Sequence, residues 1–340
     1  MKNSPCGFGY WVAFANAMTP SPLAQDVEET CRILQALGAG WIAPRAGMDG
    51  WNDGGLTLSA LASYKQLGID VYPWIYTRPQ GIQATVDAAL KLLETGNVDG
   101  IILDAEAEYL AESGAATRLA DAIRAAVDDA WVAHAPLDNI ALHPTFPWRE
   151  IVVGSAEPHE PPRLDAVMPQ LYAWEHNDAG HAAWQQKCEP QWTAWERANP
   201  QAAVPRSWIG ACYRPKLRGG SSTPALPLQT VVDDVVAFRT SNPRGSLYAI
   251  DAALTLAQRP ILAALIELAG GADAHDLSTV LGQQEALARL GFEPGPIDGR
   301  KGRQTVIALK AFQKSVGLLE DGVVGPTTRA ALDAALSRPS

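Results

Sequence analysis

Through its first 270 residues the chain alternates short apolar runs of strand type with longer stretches that repeat apolar residues every three to four positions. Strand candidates are Gly7–Phe14, Gly40–Arg45, Ile69–Tyr76, Val98–Asp104, Asn139–His143, Leu164–Tyr172, Ala203–Gly210 and Ser246–Ile250. Helical patterns fall between them at Leu23–Leu37, Leu58–Leu67, Ile82–Glu94, Ala115–Ala130, His181–Arg197 and Leu228–Thr240, and a last one covers Leu256–Ala269. The stretch between the fifth and sixth strands carries Pro144, Pro147, Pro158, Pro161 and Pro162 and reads mostly as loop. Eight strands, each followed by a helix or a long excursion, predict an α/β fold of the closed (β/α)8 TIM-barrel type, for which roughly 250 residues are typical. An open doubly wound sheet is the alternative, but no Gly-x-Gly-x-x-Gly follows the first strand.

The fourth strand candidate ends in acids at alternate positions: Leu103-Asp104-Ala105-Glu106-Ala107-Glu108. On a strand, residues i and i+2 share a face, so Asp104 and Glu106 point one way, and Glu108 joins them if the strand continues. Like charges crowded together push their pKa values apart, so that one group holds a proton while its neighbour stays ionised. Cleavage of a glycosidic bond needs such a pair. The competing reading is a solvated acidic loop after a buried strand. A barrel gathers its strand ends at one mouth, which places Phe14, Asn16, Arg45, Tyr76, His143, Gln170, Tyr172, Trp174, Tyr213 and Asp251 near these acids. Aromatic faces and amides beside carboxylates suit sugars. Trp131, Trp184, Trp192 and Trp195 fall in helical patterns, and most of them are assigned to packing.

The chain carries 27 basic and 37 acidic residues. From His275 onward there are 8 basic and 7 acidic, so the acidity lies in the barrel region. An acidic body argues against nucleic acid as partner. No apolar run long enough for a membrane helix is present, and Met1 to Gly9 has no signal-peptide core, so synthesis in a cytoplasm is expected. Cys6, Cys31, Cys188 and Cys212 form no Cys-x-x-Cys pair and read as thiols, with Cys6–Cys31 and Cys188–Cys212 bridges left open. The six histidines make no metal-binding spacing; His176 and His181, five apart, are the nearest approach. No metal or cofactor is expected.

Residues 271–276 read as a linker between a barrel domain, 1–270, and a compact all-α domain of three short helices, 277–340. In the latter, Val280, Leu281, Leu287 and Leu290, then Val306, Leu309, Phe312 and Val316, then Leu332 and Leu336 recur at helical spacing. Asp298-Gly299-Arg300-Lys301-Gly302-Arg303-Gln304-Thr305 is echoed by Asp321-Gly322-Val323-Val324-Gly325-Pro326-Thr327-Thr328, two tight turns that each enter a helix.

The segment from about Leu277 to Leu336 resembles the three-helix peptidoglycan-binding domain carried by many cell-wall hydrolases. The residues that carry the likeness are Gln284 to Phe292, Pro294 to Gly299, Ala311-Phe312-Gln313 and Asp321 to Thr328. It implies a wall-binding groove beside the repeated turns, with Asp298, Gly299, Arg300, Arg303 and Phe312 as the counterparts here. The barrel resembles lysozyme-like glycoside hydrolases, above all family 25, and more distantly the chitinase-like barrels. Leu103-Asp104-Ala105-Glu106, Met168-Pro169-Gln170-Leu171-Tyr172 and the barrel pattern carry it. Family 25 enzymes usually hold an Asp near the end of the first strand; Gly9-Tyr10-Trp11-Val12-Ala13-Phe14 has none, so a divergent branch is implied. The whole layout is similar to a phage endolysin, made in the host cytoplasm, released to the wall, monomeric, with bacterial peptidoglycan as partner.

That resemblance implies hydrolysis of the β-1,4 bond between N-acetylmuramic acid and N-acetylglucosamine. Glu106 is then the general acid and Asp104 orients the substrate's own acetamido group, with Tyr172 hydrogen-bonded to it. Gln170, Tyr76 and Trp174 line the sugar subsites, Arg45 binds the lactyl carboxylate or pairs with the acids, and Asp251 supplies a further carboxylate or caps a helix. Glu108 is the alternative acid or an exposed carboxylate. A catalytically inactive wall-binding protein, an amidase and a glucosaminidase remain as other readings.

Overall fold

The computed structural model describes residues 4–12, 27–49, 56–112, 114–173, 180–212, 227–250, 259–269, 277, 279–295 and 299–336. The chain divides into two compact units, Met1–Ala264 and Leu265–Ser340. That division falls inside the helix Arg259–Leu268; the expected linker at 271–276 lies outside the described residues.

Among the described residues the larger unit holds ten parallel strands: β1 Gly9–Val12, β2 Trp41–Met48, β3 Asp70–Val71, β4 Trp74–Thr77, β5 Gly100–Ala105, β6 Trp131–His134, β7 Ala166–Val167, β8 Gln170–Leu171, β9 Ile209–Ala211 and β10 Ser246–Tyr248. They follow the order β7-β6-β5-β4-β2-β1-β10-β9-β8, with β3 on β2. The two ends of this order flank Met168 and Pro169, so the sheet curls round until it begins and ends on pieces of one segment. Pro169 and Pro73 lack an N–H for the ladder, which is why two expected strands each appear as a pair of short ones.

Helices α1 Val27–Ala36, α2 Leu58–Gln66, α3 Ile82–Leu93, α4 Ala115–Ala126, α5 Glu150–Val153, α6 His181–Ala198, α7 Leu228–Ser241 and α8 Arg259–Leu268 alternate with the strands. Thr57 caps α2 by accepting from Ala60 N at 3.2 Å, and Gly68, at φ 74°, takes the left-handed turn that leads into β3.

The fifth strand is β6, not the expected Asn139–His143. The helical pattern ahead of it stops at Ala126, because the Arg124 guanidinium donates to the carbonyls of Val127, Asp128 and Ala130 and turns the chain. Trp131 therefore sits in a strand and not in a helix. Asn139 to His143 forms turns pinned by Trp192 Nε1, which donates to Asp138 O at 2.7 Å.

Alternate residues of the strands face inward. Trp11, Trp41, Tyr72, Trp74, Ile102, Trp131, Met168 and Ile209 fill the space the sheet encloses. None of the four cysteines is in a disulfide; Cys6 is exposed and the others are buried.

The smaller unit contains α9 Val280–Arg289, α10 Arg303–Ser315 and α11 Pro326–Leu336 around Leu277, Leu287, Leu309, Phe312, Leu332 and Leu336.

Candidate active site and the smaller helical unit

The inward rows that build the core also build the site, one step further toward the C-terminal strand ends. Tyr76 on β4 is in register with Asp104 on β5, so the two side chains emerge side by side. They line a cleft of about 360 Å3 together with Trp11, Arg45, Met48, Trp74, Glu106, Gln170, Tyr172 and Tyr248.

One side-chain amide bridges Asp104 and Glu106. Gln170 Nε2 donates to Asp104 Oδ1 at 2.7 Å and to Glu106 Oε1 at 3.0 Å, and lies 3.0 Å from Ala135 O. Its amide is thus committed to holding the acids, a use the subsite expectation did not include. Asp104 is buried, 8 % exposed. Burial pushes its carboxyl well above the usual carboxylate range, and the charges of Glu106 and Glu108 add to that against the opposing bond from Gln170. Glu106 is half-buried.

The strand stops at Ala105, so Glu108 does not share the face of the other two acids. It lies exposed in a 3-10 turn, Ala107–Leu110, and accepts a hydrogen bond from Tyr76 Oη. Burial first, then that bond and the three acids, raise the Tyr76 phenol. Arg45 places its guanidinium 5.4 Å from the centroid of the Trp74 ring, a cation–π contact at the cleft wall. Tyr172 stacks obliquely on Tyr248, 5.5 Å between centroids.

Trp174, Asp251, Phe14, Asn16 and Tyr213 lie outside the described residues. His143 is not among the cleft residues; its carbonyl accepts from Trp148 Nε1 in the turn region after β6. His181 has both ring nitrogens engaged, Nδ1 with Asp234 and Nε2 accepting from Ala211 N at 2.8 Å, so it has none to offer a metal. Among the described residues no group of three His, Cys, Asp or Glu could hold a metal ion, and no helix is long and apolar enough to cross a membrane.

Sequence reasoning passed over Trp11, Trp74, Tyr248 and Met48. The first three were findable: Trp74 is two residues before Tyr76 on one strand and so shares its face, and Trp11 and Tyr248 lie in the flanking strand candidates. Met48 was not, because β2 runs three residues past Arg45 through an irregular register at Gly47.

In the smaller unit the repeated turns are held by two equivalent glutamines. Gln284 Oε1 accepts from Gly299 N at 2.9 Å, and its Nε2 donates to Arg300 O and Thr305 Oγ1. Gln313 Oε1 accepts from Gly322 N at 2.8 Å, and its Nε2 donates to Asp321 Oδ1, Val323 O and Thr328 Oγ1. Gly299, Arg300 and Arg303 are exposed beside the first turn; Asp298 lies outside the described residues. Phe312 is no surface contact. It is 2 % exposed and packs edge-on against Phe292, because it falls on the inward stripe of α10.

Fold and site together define a parallel α/β unit with a carboxylate pair at its strand ends, followed by a small helical unit. Residues 279–332 match the family described as a peptidoglycan binding domain. A comparison with curated proteins gives no match. Among solved structures the chain is similar to an exo-β-1,4-mannosidase from an Opitutaceae bacterium, at 14% identity over 77% of this chain and 58% of that one, TM-score 0.49. It is also similar to the spore cortex-lytic enzyme SleL of Bacillus megaterium, at 11% identity over 78% and 75%, TM-score 0.49. A class V chitinase from Pseudomonas fluorescens gives 13% identity over 76% and 98%, TM-score 0.47. The chain thus spans less than two thirds of the mannosidase and most of the other two.

Proposed function

We propose that the larger unit is a (β/α)8-barrel glycoside hydrolase that cuts peptidoglycan glycan strands at the β-1,4 bond after N-acetylmuramic acid, and that the smaller unit holds it on the wall. The observation that carries this reading is the Asp104–Glu106 pair, both hydrogen-bonded to the Gln170 amide in an aromatic-lined cleft. The wall-binding part is supported by the family match at residues 279–332.

Glu106 is the general acid that protonates the leaving oxygen. It is the more open of the two, while Asp104 is enclosed behind it. Asp104 orients and polarises the substrate's own acetamido group, whose oxygen attacks the anomeric carbon, and Tyr172 hydrogen-bonds that group. The acids are two residues apart at the end of β5, too close to act as acid and nucleophile from opposite sides of the bond. Among the described lining residues Arg45 is the cation, set beside two acids and several aromatic rings, and we assign it to the lactyl carboxylate of muramic acid. The whole is a monomeric endolysin-type enzyme in this reading.

The test is digestion of purified peptidoglycan, borohydride reduction and mass spectrometry of the products. Muramitol ends are expected. Glucosaminitol ends would move the cut to the other glycosidic bond, and free stem peptides would replace the glycosidase reading by an amidase or peptidase. Sedimentation with the wall and no released product would leave a binding protein.

A further inference from the structure

His134 lies on β6 behind the carboxylate pair and is 1 % exposed. Its strand neighbours Ala133 and Ala135 belong to the enclosed core, so by alternation His134 points to the opposite face of the sheet, away from the cleft. From there it cannot touch a substrate. Its Nε2 nevertheless comes within 2.9 Å of the carbonyl oxygen of Ala105, the residue between Asp104 and Glu106. A carbonyl only accepts, so Nε2 carries the hydrogen. Burial lowers the His134 pKa to about 4, which keeps the ring neutral near neutral pH. Phe146 stacks on the ring, 6.0 Å between centroids and 7° between planes.

The ladder between β5 and β6 explains why a side chain serves here. Ala135 N donates to Leu103 O at 2.8 Å. Two residues further on, the same ladder would offer Leu137 N to Ala105 O. Leu137 instead bridges to Gln170, past Pro136, and the imidazole supplies a donor at that carbonyl. Ala105 ends the strand, and the chain leaves the sheet at Glu106.

We propose that His134 is a positioning residue: by holding the Ala105 carbonyl from the far side of the sheet, it sets the backbone turn that brings Glu106 against Asp104. The charged, titratable and hydrogen-bonding groups around the pair are Arg45, Tyr76, Tyr172, Gln170 and Glu108, and His134 meets Ala105 O and the Phe146 ring. The inference rests on reading Asp104 and Glu106 as the reacting pair, and its test stands apart from turnover.

The nitrogen-15 imidazole spectrum of the wild-type protein is expected to show the His134 hydrogen on Nε2; a hydrogen on Nδ1 overturns the proposal whether or not any variant folds. His134→Phe keeps the ring stack and removes the donor, while His134→Gln keeps an N–H near the Nε2 position. Carbon-13 titration of the carboxyls is expected to show the upper midpoint of the Asp104–Glu106 pair lowered by about half a pH unit or more in H134F and restored in H134Q, because a looser pair is less strongly coupled. A folded H134F with wild-type titration overturns the proposal. With peptidoglycan as substrate, H134F is expected to lose roughly 10- to 100-fold in kcat with KM within about twofold, and an unchanged kcat overturns it equally. A wild-type protein that cuts no glycan would remove the proposed activity and leave the titration to decide His134.

Discussion

Gln170 joins Asp104 across the floor of the cleft, its Nε2 2.7 Å from Asp104 Oδ1. Sixty-six positions separate them in sequence, and the bond ties β8 to β5. The same nitrogen also serves Glu106 Oε1 and Ala135 O, so two amide hydrogens meet three acceptors. Burial, with the charges of Glu106 and Glu108 beside it, raises the Asp104 carboxyl and so favours keeping a proton in the site. In the proposed reaction Glu106 delivers a proton when the leaving oxygen arrives.

Glu106→Gln removes the proton donor and keeps the shape. Turnover on peptidoglycan is expected to fall by about 10²- to 10⁴-fold, with sedimentation on intact wall unchanged. Product release by this variant at the wild-type rate would rule Glu106 out as the acid.

Asp104→Asn separates stability from activity. The folded carboxyl is raised, so between the ordinary Asp pKa and its own the native state binds more protons than the unfolded chain. Stability from this group is therefore lost as pH rises through that window. The variant is expected to melt higher than wild type at neutral pH, with the gain gone by about pH 2.5, where both states hold the proton. In the proposed mechanism its turnover also falls, because Asp104 orients the acetamido group there. Thermal melts across pH check the sign; a lower melting temperature at neutral pH would contradict it.

Glu108→Gln tests which carboxylate reacts. Glu108 is exposed and bound to Tyr76 Oη, on a turn beyond the strand. Its loss is expected to cost no more than about 10-fold in kcat/KM, by loosening Tyr76 and not by removing a proton donor. A loss as large as that of Glu106→Gln would exchange their roles.

The acid pair was legible because strand alternation is local: Asp104 and Glu106 share a face whatever surrounds them. The same rule places Tyr76 and Tyr172 in the cleft. Glu108 was left open because where β5 stops depends on the turn at Ala107–Leu110 and not on the apolar run. The strand Trp131–His134 was missed, since the alanine-rich helical pattern runs on past Ala126 and only Arg124, through carbonyls of the following turn, shows where it ends. His134 lost its meaning with it. Phe312 had two readings, an apolar stripe and a wall contact, and packing against Phe292 selects the first.

Gln313 is 1 % exposed, and its amide closes the second repeated turn through Gly322 N, Asp321 Oδ1, Val323 O and Thr328 Oγ1. Gly322 sits at φ 72° with its N–H pointing inward to that amide. Gln313→Leu has nearly the same volume and no polar atoms, so it strands a buried N–H and a carbonyl at roughly 1–3 kcal/mol each. The expected outcome is faster hydrogen exchange at Gly322, by about 10-fold or more, with Gly299 little changed because Gln284 still holds it. Gln284→Leu should give the reverse pattern. If these turns form the wall-binding groove, either variant also weakens sedimentation with peptidoglycan while turnover on soluble glycan fragments stays within about twofold of wild type. Equal protection of Gly322 in Q313L would mean that the turn is held by its own backbone and that the glutamine is dispensable.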